Sequence, residues 1–327
     1  LINSETQIFS IKKLLLYSRF FLFSFCYIFL LSKLSDHQLK ILAKFYILLI
    51  FLVILDSLVQ LIFGRDIFGY EYFYPYNRIT GPFGDEMIVG FFILNFGILT
   101  LSFLNYLNLI NKISTYVILI CILIFVLLTG ERTSFLTGLF FLFFLLIISQ
   151  NKKLVFFTSI SVLVISMLIV FNINFLKNKY PVYDILQSSL NFQKQETKVN
   201  NKLKDNEGMV DINKFIPIHK WQGHFQRSIE IFEKNILLGS GFRSYRITCF
   251  EYQKKYFDSK NISKCSTHPH NFHLEILSDN GILGYLIFLF FFVYLAKTFF
   301  SGKHYNNFGI SLIFCLIISF IIPFKTT

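Results

Sequence analysis

Three histidines, His268, His270 and His273, stand close together in the stretch STHPHNFHLEILSDNGILGYLIF, Ser266 to Phe288. Imidazole is the side chain best suited to take a hydroxyl proton near neutral pH, which makes the cluster a candidate general base. Glu275 or a backbone carbonyl can orient such a base. Two other chemistries compete. His270 and His273, at i,i+3 spacing, can share a metal, but no third ligand beyond Glu275 lies nearby. Histidines just ahead of an apolar run can also stand wetted at a helix start, which Pro269 favours.

The elements that must position this cluster follow from composition. Hydrophobic residues make up 54% of the 327 residues and charged residues 15%, against about a quarter charged in soluble domains. Apolar runs recur, each near the length that crosses a bilayer core. They predict spans at 14–31, 41–63, 86–107, 113–129, 133–149, 153–173, 281–300 and 306–324. The runs lack the alternation of barrel strands, which excludes a β-barrel. The expected fold is all-α: a polytopic transmembrane helix bundle with one large extracytoplasmic loop containing short amphipathic helices. Residues 1–173 hold the N-terminal transmembrane helices, 174–280 the large loop with the catalytic segment, and 281–327 the C-terminal transmembrane helices. The chain opens on the polar LINSETQ without an initiator Met, so an N-terminal part of a longer protein is expected to precede it.

Within the large loop, KQETKVNNKLKDNEGMVD (194–211) has no apolar period and is expected to be mobile. Trp221, Phe225, Ile229 and Phe232 then recur at helical spacing, predicting an amphipathic helix on the membrane or against the bundle. The formal net charge of +12 does not point to nucleic acid, because the basic residues flank spans and suit topology and lipid headgroups. Lys33, Lys40, Lys44, Lys112, Lys152, Lys153 and Lys303 fall in short connections on one side, which is therefore read as cytoplasmic. Of the seven arginines, six (Arg65, Arg78, Arg132, Arg227, Arg243 and Arg246) fall on the opposite face, although lysines number 24. Arginine matches a phosphate bidentately and lysine does not.

His270-Asn271, followed after nine residues by Gly281-Ile-Leu-Gly284-Tyr285, resembles the signature of the O-antigen ligase and O-antigen polymerase superfamily. These membrane proteins move lipid-linked glycans outside the cytoplasmic membrane. LTGERTSFLTGL (128–139) is similar to the family's arginine turn between two spans. RSIEIFEKNILLGSGFRSY (227–245) is similar to its Arg-led helix ending in Gly-x-Gly, and NRITGPFGDEMIVGFFI (77–93) to its arginine segment entering a span. The four stretches follow the family's order. Glu131 departs from the usual small residue before the turn arginine and is a candidate partner for Arg132; the turn KNILLGSG lacks the frequent proline.

The resemblance implies metal-independent, inverting transfer of an oligosaccharide from undecaprenyl pyrophosphate to a sugar hydroxyl, without a cofactor. The acceptor is a growing glycan (polymerase), or a lipid A core sugar or protein (ligase). The expected location is the bacterial inner membrane, with the active site facing the periplasm and membrane lipids as further partners. His270 is then the base. Arg132 and Arg227 stabilise the pyrophosphate leaving group, with Arg78 or Arg243 as a third contact. Asn271, Glu275, Gly281 and Gly284 complete the substrate-binding set, the glycines letting a helix or the lipid carrier come close. The lack of an Asp-x-Asp pair argues against a nucleotide-sugar donor. Cys249 and Cys265, both in the oxidising outer loop, are expected to form a disulfide that pins the His270 segment. No CxxC spacing suggests a thiolate metal site, and Cys26, Cys121 and Cys315 read as small apolar core residues. Asp56, inside a span, is either a donor-lipid or proton group or is hydrogen-bonded near Ser57 and Gln60. A transporter or flippase of lipid-linked glycan is the alternative, disfavoured because the histidines and arginines crowd one face; a sensor or structural subunit would not need six arginines there.

Overall fold

The computed structural model describes residues 4–71, 78–172, 218–255 and 265–321; the stretch 194–211 expected to be mobile lies outside them. The described chain is an all-α, polytopic helix bundle. Its apolar helices are α1 (Ser4–Lys33), α2 (Asp36–Phe63), α3 (Val89–Tyr106), α4 (Lys112–Leu128), α5 (Arg132–Ile148) and α6 (Lys152–Asn172). After two shorter polar helices, α7 (Ile218–Lys234) and α8 (Tyr245–Lys255), come α9 (Phe272–Ser301) and α10 (Phe308–Ser319). Helices α1, α2, α3, α6 and α9 are long and apolar enough to cross a membrane, and α4, α5 and α10 are shorter apolar helices. Each of the eight sequence-predicted spans falls on one of these helices.

The chain divides into two compact units. One holds α2 from Ala43 onward, α3 to α6 and α10. Here α10 packs on α3 and α5, and α4 packs on α3, α5 and α6. Ile93, Leu94 and Ile98 of α3, Leu119 and Leu123 of α4, and Phe141 and Leu145 of α5 are fully buried. Small residues set the approach: Gly97 stands against Ile122, Gly138 against Leu123, and Gly309 against the Ser102 backbone. Among apolar surroundings this close contact, rather than water exclusion, holds helices together. Ser102 Oγ donates to the Gly309 carbonyl at 2.7 Å. Cys121 is exposed rather than buried, while Cys315 is buried as expected; Cys26, in the other unit, is exposed too. A hydropathy reading cannot tell which side of a membrane helix faces lipid.

At one end of this unit, polar side chains hold the backbone. Buried Gln60 accepts from the N–H groups of Thr80 and Gly81, both at 2.9 Å, and donates to Thr80 Oγ1 at 3.0 Å. Buried Asp56 takes the Ile67 N–H at 2.8 Å, so its partner is the turn after α2 rather than Ser57 or Gln60. Glu131 accepts from the N–H groups of Gly90 (2.6 Å) and Phe91 (2.9 Å) and from Ser134 Oγ (2.8 Å). It thereby caps the N-terminus of α3 from another helix, where a negative charge also suits the helix dipole.

The second unit contains α1, the start of α2, and the segment from Pro217 to His304 with α7, α8 and α9. Helix α9 begins at Phe272, well before the span predicted from 281, because Asn271 caps it: its Oδ1 accepts the Leu274 N–H at 3.0 Å. At Gly281 the backbone leaves the helical region (φ 64°, ψ −169°). The orphaned groups find partners in the turn 236–241. Ile282 and Leu283 donate to the carbonyls of Ile236 (2.8 Å) and Leu237 (3.2 Å), while Ser240 and Gly241 donate to those of Ser278 (2.9 Å) and Asp279 (2.8 Å). Four main-chain bonds thus replace helix bonds lost at the kink. A Cβ on Gly281 or Gly239 would strike the opposing backbone, and one on Gly284 would strike the Asn280 Cβ.

Candidate functional site

The residues ahead of α9 are fixed at both ends. Cys265 is disulfide-bonded to Cys249 of α8, with Cα atoms 5.7 Å apart, and Asn271 is the helix cap. Buried Ile231 of α7, Tyr245 and Cys249 form a small core beneath this segment. Between the fixed ends, Ser266 Oγ donates to the His268 carbonyl. His270 adopts a left-handed backbone at φ 57°, and Arg243, two residues before α8, does so at φ 56°. That conformation costs a residue with a Cβ about 1–2 kcal/mol, and strain of this kind gathers at functional sites.

Nε2 of His268 lies 3.1 Å from Nδ1 of His270, and Thr267 Oγ1 lies 2.9 Å from His268 Nδ1. The His268 and His270 rings meet edge to face with centroids 4.2 Å apart, and the His224 ring of α7 is 5.4 Å from that of His270. A bond between two imidazoles uses one N–H and one lone pair. When His270 donates through Nδ1, its Nε2 carries the lone pair and can take a proton; when His268 donates, it cannot. Burial above all, followed by the positive charges of Arg243 and His224, holds His268 below its ordinary pKa. His268 therefore keeps a lone pair near neutral pH and can serve as acceptor. The sequence reading left this residue without a role; its position two residues before His270 was the available signal.

Glu275, suggested as the orienting group, is buried and pairs with Arg243 (Nη1 to Oε1 2.7 Å). The Arg243 guanidinium also lies over the Tyr17 ring at 5.3 Å. His273, the other half of the suggested metal pair, has both ring nitrogens engaged elsewhere: Nδ1 is 3.0 Å from the Tyr285 hydroxyl and Nε2 is 2.8 Å from the Ile321 carbonyl. Among the described residues no group of three or more His, Cys, Asp or Glu is arranged to hold a metal ion.

A cavity of about 380 Å³ adjoins the cluster, with Arg243, His268, Glu275 and Asp279 on its polar side and Tyr17, Phe242 and Phe272 on its apolar side. His268 lines it, and His270 adjoins it through His268. The cavity's polar and aromatic sides together suit a ligand with a polar head and an apolar body. Buried Asp279 takes the Tyr245 N–H at 2.8 Å and holds the start of α8. Burial pushes the Tyr245 phenol up to about 12, so it is a hydroxyl at working pH. On α7, Arg227 pairs with Glu230 at 2.7 Å with its side chain 13% exposed. Gly281 and Gly284 lie further along α9, the first in the backbone interlock described above.

Arg78 and Arg132 belong to the other unit, where they flank one joint: the Ile79 N–H donates to the Thr129 carbonyl at 3.2 Å. Arg132 opens α5 and is exposed. Arg78 is half-buried, with Nε buried and lacking a hydrogen-bond partner among the described residues, and Nη1 4.0 Å from Met87 Sδ. Such a guanidinium is under-satisfied for its burial and suited to an anion. Burial raises the Glu131 pKa, opposed by its hydrogen bonds and by the Arg78 charge. Arg65 is engaged with Glu71 at 2.6 Å in an exposed pair.

A family model described as O-antigen ligase matches residues 117–289, a stretch that runs from α4 through the histidine cluster into α9. No curated protein and no solved structure matches the chain.

Proposed function

The chain belongs to the O-antigen ligase family, a multi-pass membrane family of lipid-linked glycan transfer, and on that premise we propose the following reaction. A sugar hydroxyl of the acceptor attacks the anomeric carbon of an oligosaccharide carried on a polyprenyl pyrophosphate, on the periplasmic face of the bacterial inner membrane. The new C–O bond forms as the bond to the pyrophosphate breaks, and configuration inverts. The hydroxyl proton passes to His270 Nε2, while His268 accepts the His270 Nδ1 hydrogen and fixes the reactive tautomer. The pyrophosphate leaves with an added negative charge, which arginines stabilise more in the transition state than in the ground state. Arg243 is the arginine whose charge bears on His268; Arg227, Arg132 and Arg78 are further candidates. The observation that carries this reading is the His268–His270 pair, with His268 on the wall of a cavity that also holds Arg243 and an aromatic side.

The test is complementation of a deletion strain, with the surface glycan examined by gel. Cells expressing His270→Ala are expected to lack the mature glycan although the protein inserts normally. A core carrying a single repeat identifies a polymerase; long chains left on the lipid carrier identify a ligase. Mature glycan at the wild-type level would overturn the reaction. Transfer by purified protein in vesicles separates this reading from a flippase, which would move the donor without joining it to an acceptor.

A second reading is favoured by the position of His268 on the cavity wall: His268 takes the proton and His270 orients it. Under the first reading His268→Gln keeps an acceptor for His270 and retains more transfer than His270→Gln. Under the second the order reverses.

A further inference from the structure

Ile236, Leu237 and Leu238 follow one another in the turn between α7 and α8, and all three are exposed, Leu237 by 63% and Leu238 by 67%. Three consecutive exposed aliphatics in an otherwise polar segment ask for a partner. Their position relative to α9 is fixed by backbone rather than by side chains. The carbonyls of Ile236 and Leu237 accept from Ile282 and Leu283, and the absence of a side chain at Gly281 admits the Leu237 carbonyl. The turn therefore lies at the level at which α9 changes character. Before Gly281 the helix carries buried Glu275, Ser278 and Asp279; after it, Ile282, Leu283, Leu286 and Ile287 are exposed and apolar.

We propose that Ile236, Leu237 and Leu238 form a wedge that enters the membrane leaflet beside α9, the outer one on the function proposed above, with lipid acyl chains as its occupant. The assignment rests on continuity: the aliphatic side chains of the turn extend the apolar surface that α9 presents from Ile282 onward, and four main-chain hydrogen bonds hold the two together. Water on this turn would leave three large aliphatics exposed next to the surface of a membrane-crossing helix. The wedge also sets a depth. Gly239 and Gly241 turn the chain straight from Leu238 to Arg243, so an inserted wedge holds that guanidinium near the level of the lipid phosphates.

The experiment uses the full chain in lipid vesicles. Its single tryptophan is removed by Trp221→Phe, and a reporter is introduced as Leu237→Trp or, separately, Leu238→Trp. Phe290→Trp on the apolar part of α9 and exposed Glu233→Trp on α7 serve as lipid and water references. The wedge predicts blue-shifted emission at both turn positions, loss of intensity in vesicles of brominated phosphatidylcholine as for Phe290→Trp, and protection from iodide. Red-shifted emission quenched by iodide, as for Glu233→Trp, would overturn it. So would blue-shifted emission indifferent to brominated lipid, which would mean that protein covers the turn. Elution as a single species in size exclusion confirms that each variant is folded, and two independent turn positions keep the test decisive if one is not.

Discussion

A histidine that must hold a lone pair toward a substrate depends on what grips its other nitrogen, and here that neighbour is a second histidine. Replacing His270 with Ala is expected to reduce transfer by about 10²–10⁴-fold, the usual contribution of a positioned base, measured as product formed in vesicles. Arg243→Ala, and likewise Arg132→Ala, is expected to cost about 2–4 kcal/mol of transition-state stabilisation, appearing in kcat rather than KM. Arg243→Lys should recover only part of it, since a lysine cannot donate through a fork. His268 also carries a pH signature. Its folded-state pKa lies below the ordinary 6.5, so between those two values the unfolded chain binds the extra proton and the folded chain does not. Stability is therefore greater above pH 6.5 and falls as the pH drops toward the lowered value. Thermal unfolding in detergent should show a smaller loss of Tm on acidification for His268→Gln than for the wild type. Equal acid sensitivity in both would remove His268 from this role.

At the scale of elements, the informative feature is the interlock between the turn 236–241 and the kink in α9. Gly281→Ala forces a residue with a Cβ into a backbone region (φ 64°, ψ −169°) held almost only by glycine, at about 1–3 kcal/mol, and drives that Cβ into the Leu237 carbonyl. Gly284→Ala drives its Cβ into the Asn280 Cβ, an atom that moves only with its backbone. Both variants are expected to lose Tm, and Gly281→Ala, which also breaks the contact with the turn 236–241, to lose surface glycan with it; an unchanged Tm and glycan in Gly281→Ala would remove the interlock from this role. Breaking the disulfide by Cys249→Ser is expected to cost about 3 kcal/mol in a loop of this length, read as a lowered Tm that reducing agent reproduces in the wild type. The sequence announced these elements unevenly. All eight apolar helices were legible because hydropathy alone specifies them. The amphipathic helix was found with its inward face turned: Ile229, assigned to the apolar stripe, is 45% exposed, whereas Ser228 and Ile231 are buried. A stripe count treats polar residues as outward, and here His224, Arg227 and Ser228 are partly or wholly buried. Glu131 looked like a defect in the arginine turn, because nothing local reveals that its partners are the N–H groups of Gly90 and Phe91, about forty positions earlier.

For the molecule as a whole, the chemistry-bearing residues divide between the two compact units. The imidazoles stand with Arg227 and Arg243 in one, and Arg78 stands with Arg132 in the other. Spacing in the sequence named most of these residues without showing which would share a unit, because that depends on how distant helices pack. His268 was visible only as a member of a cluster. Its pairing with His270 accompanies a left-handed backbone at His270, and residue identity does not encode that turn at short range.

The splice at Gly281 bears on how this protein can be recombined with its relatives. A graft that exchanged the C-terminal helices at residue 281 would look harmless from hydropathy, since the cut falls where polar sequence gives way to apolar. It would instead place one rail of a shared main-chain ladder opposite another parent's rail, some forty positions upstream. A chimaera that is to remain folded has to keep glycine at 239 and 281, where a Cβ would strike the opposing backbone, whichever parent supplies each rail.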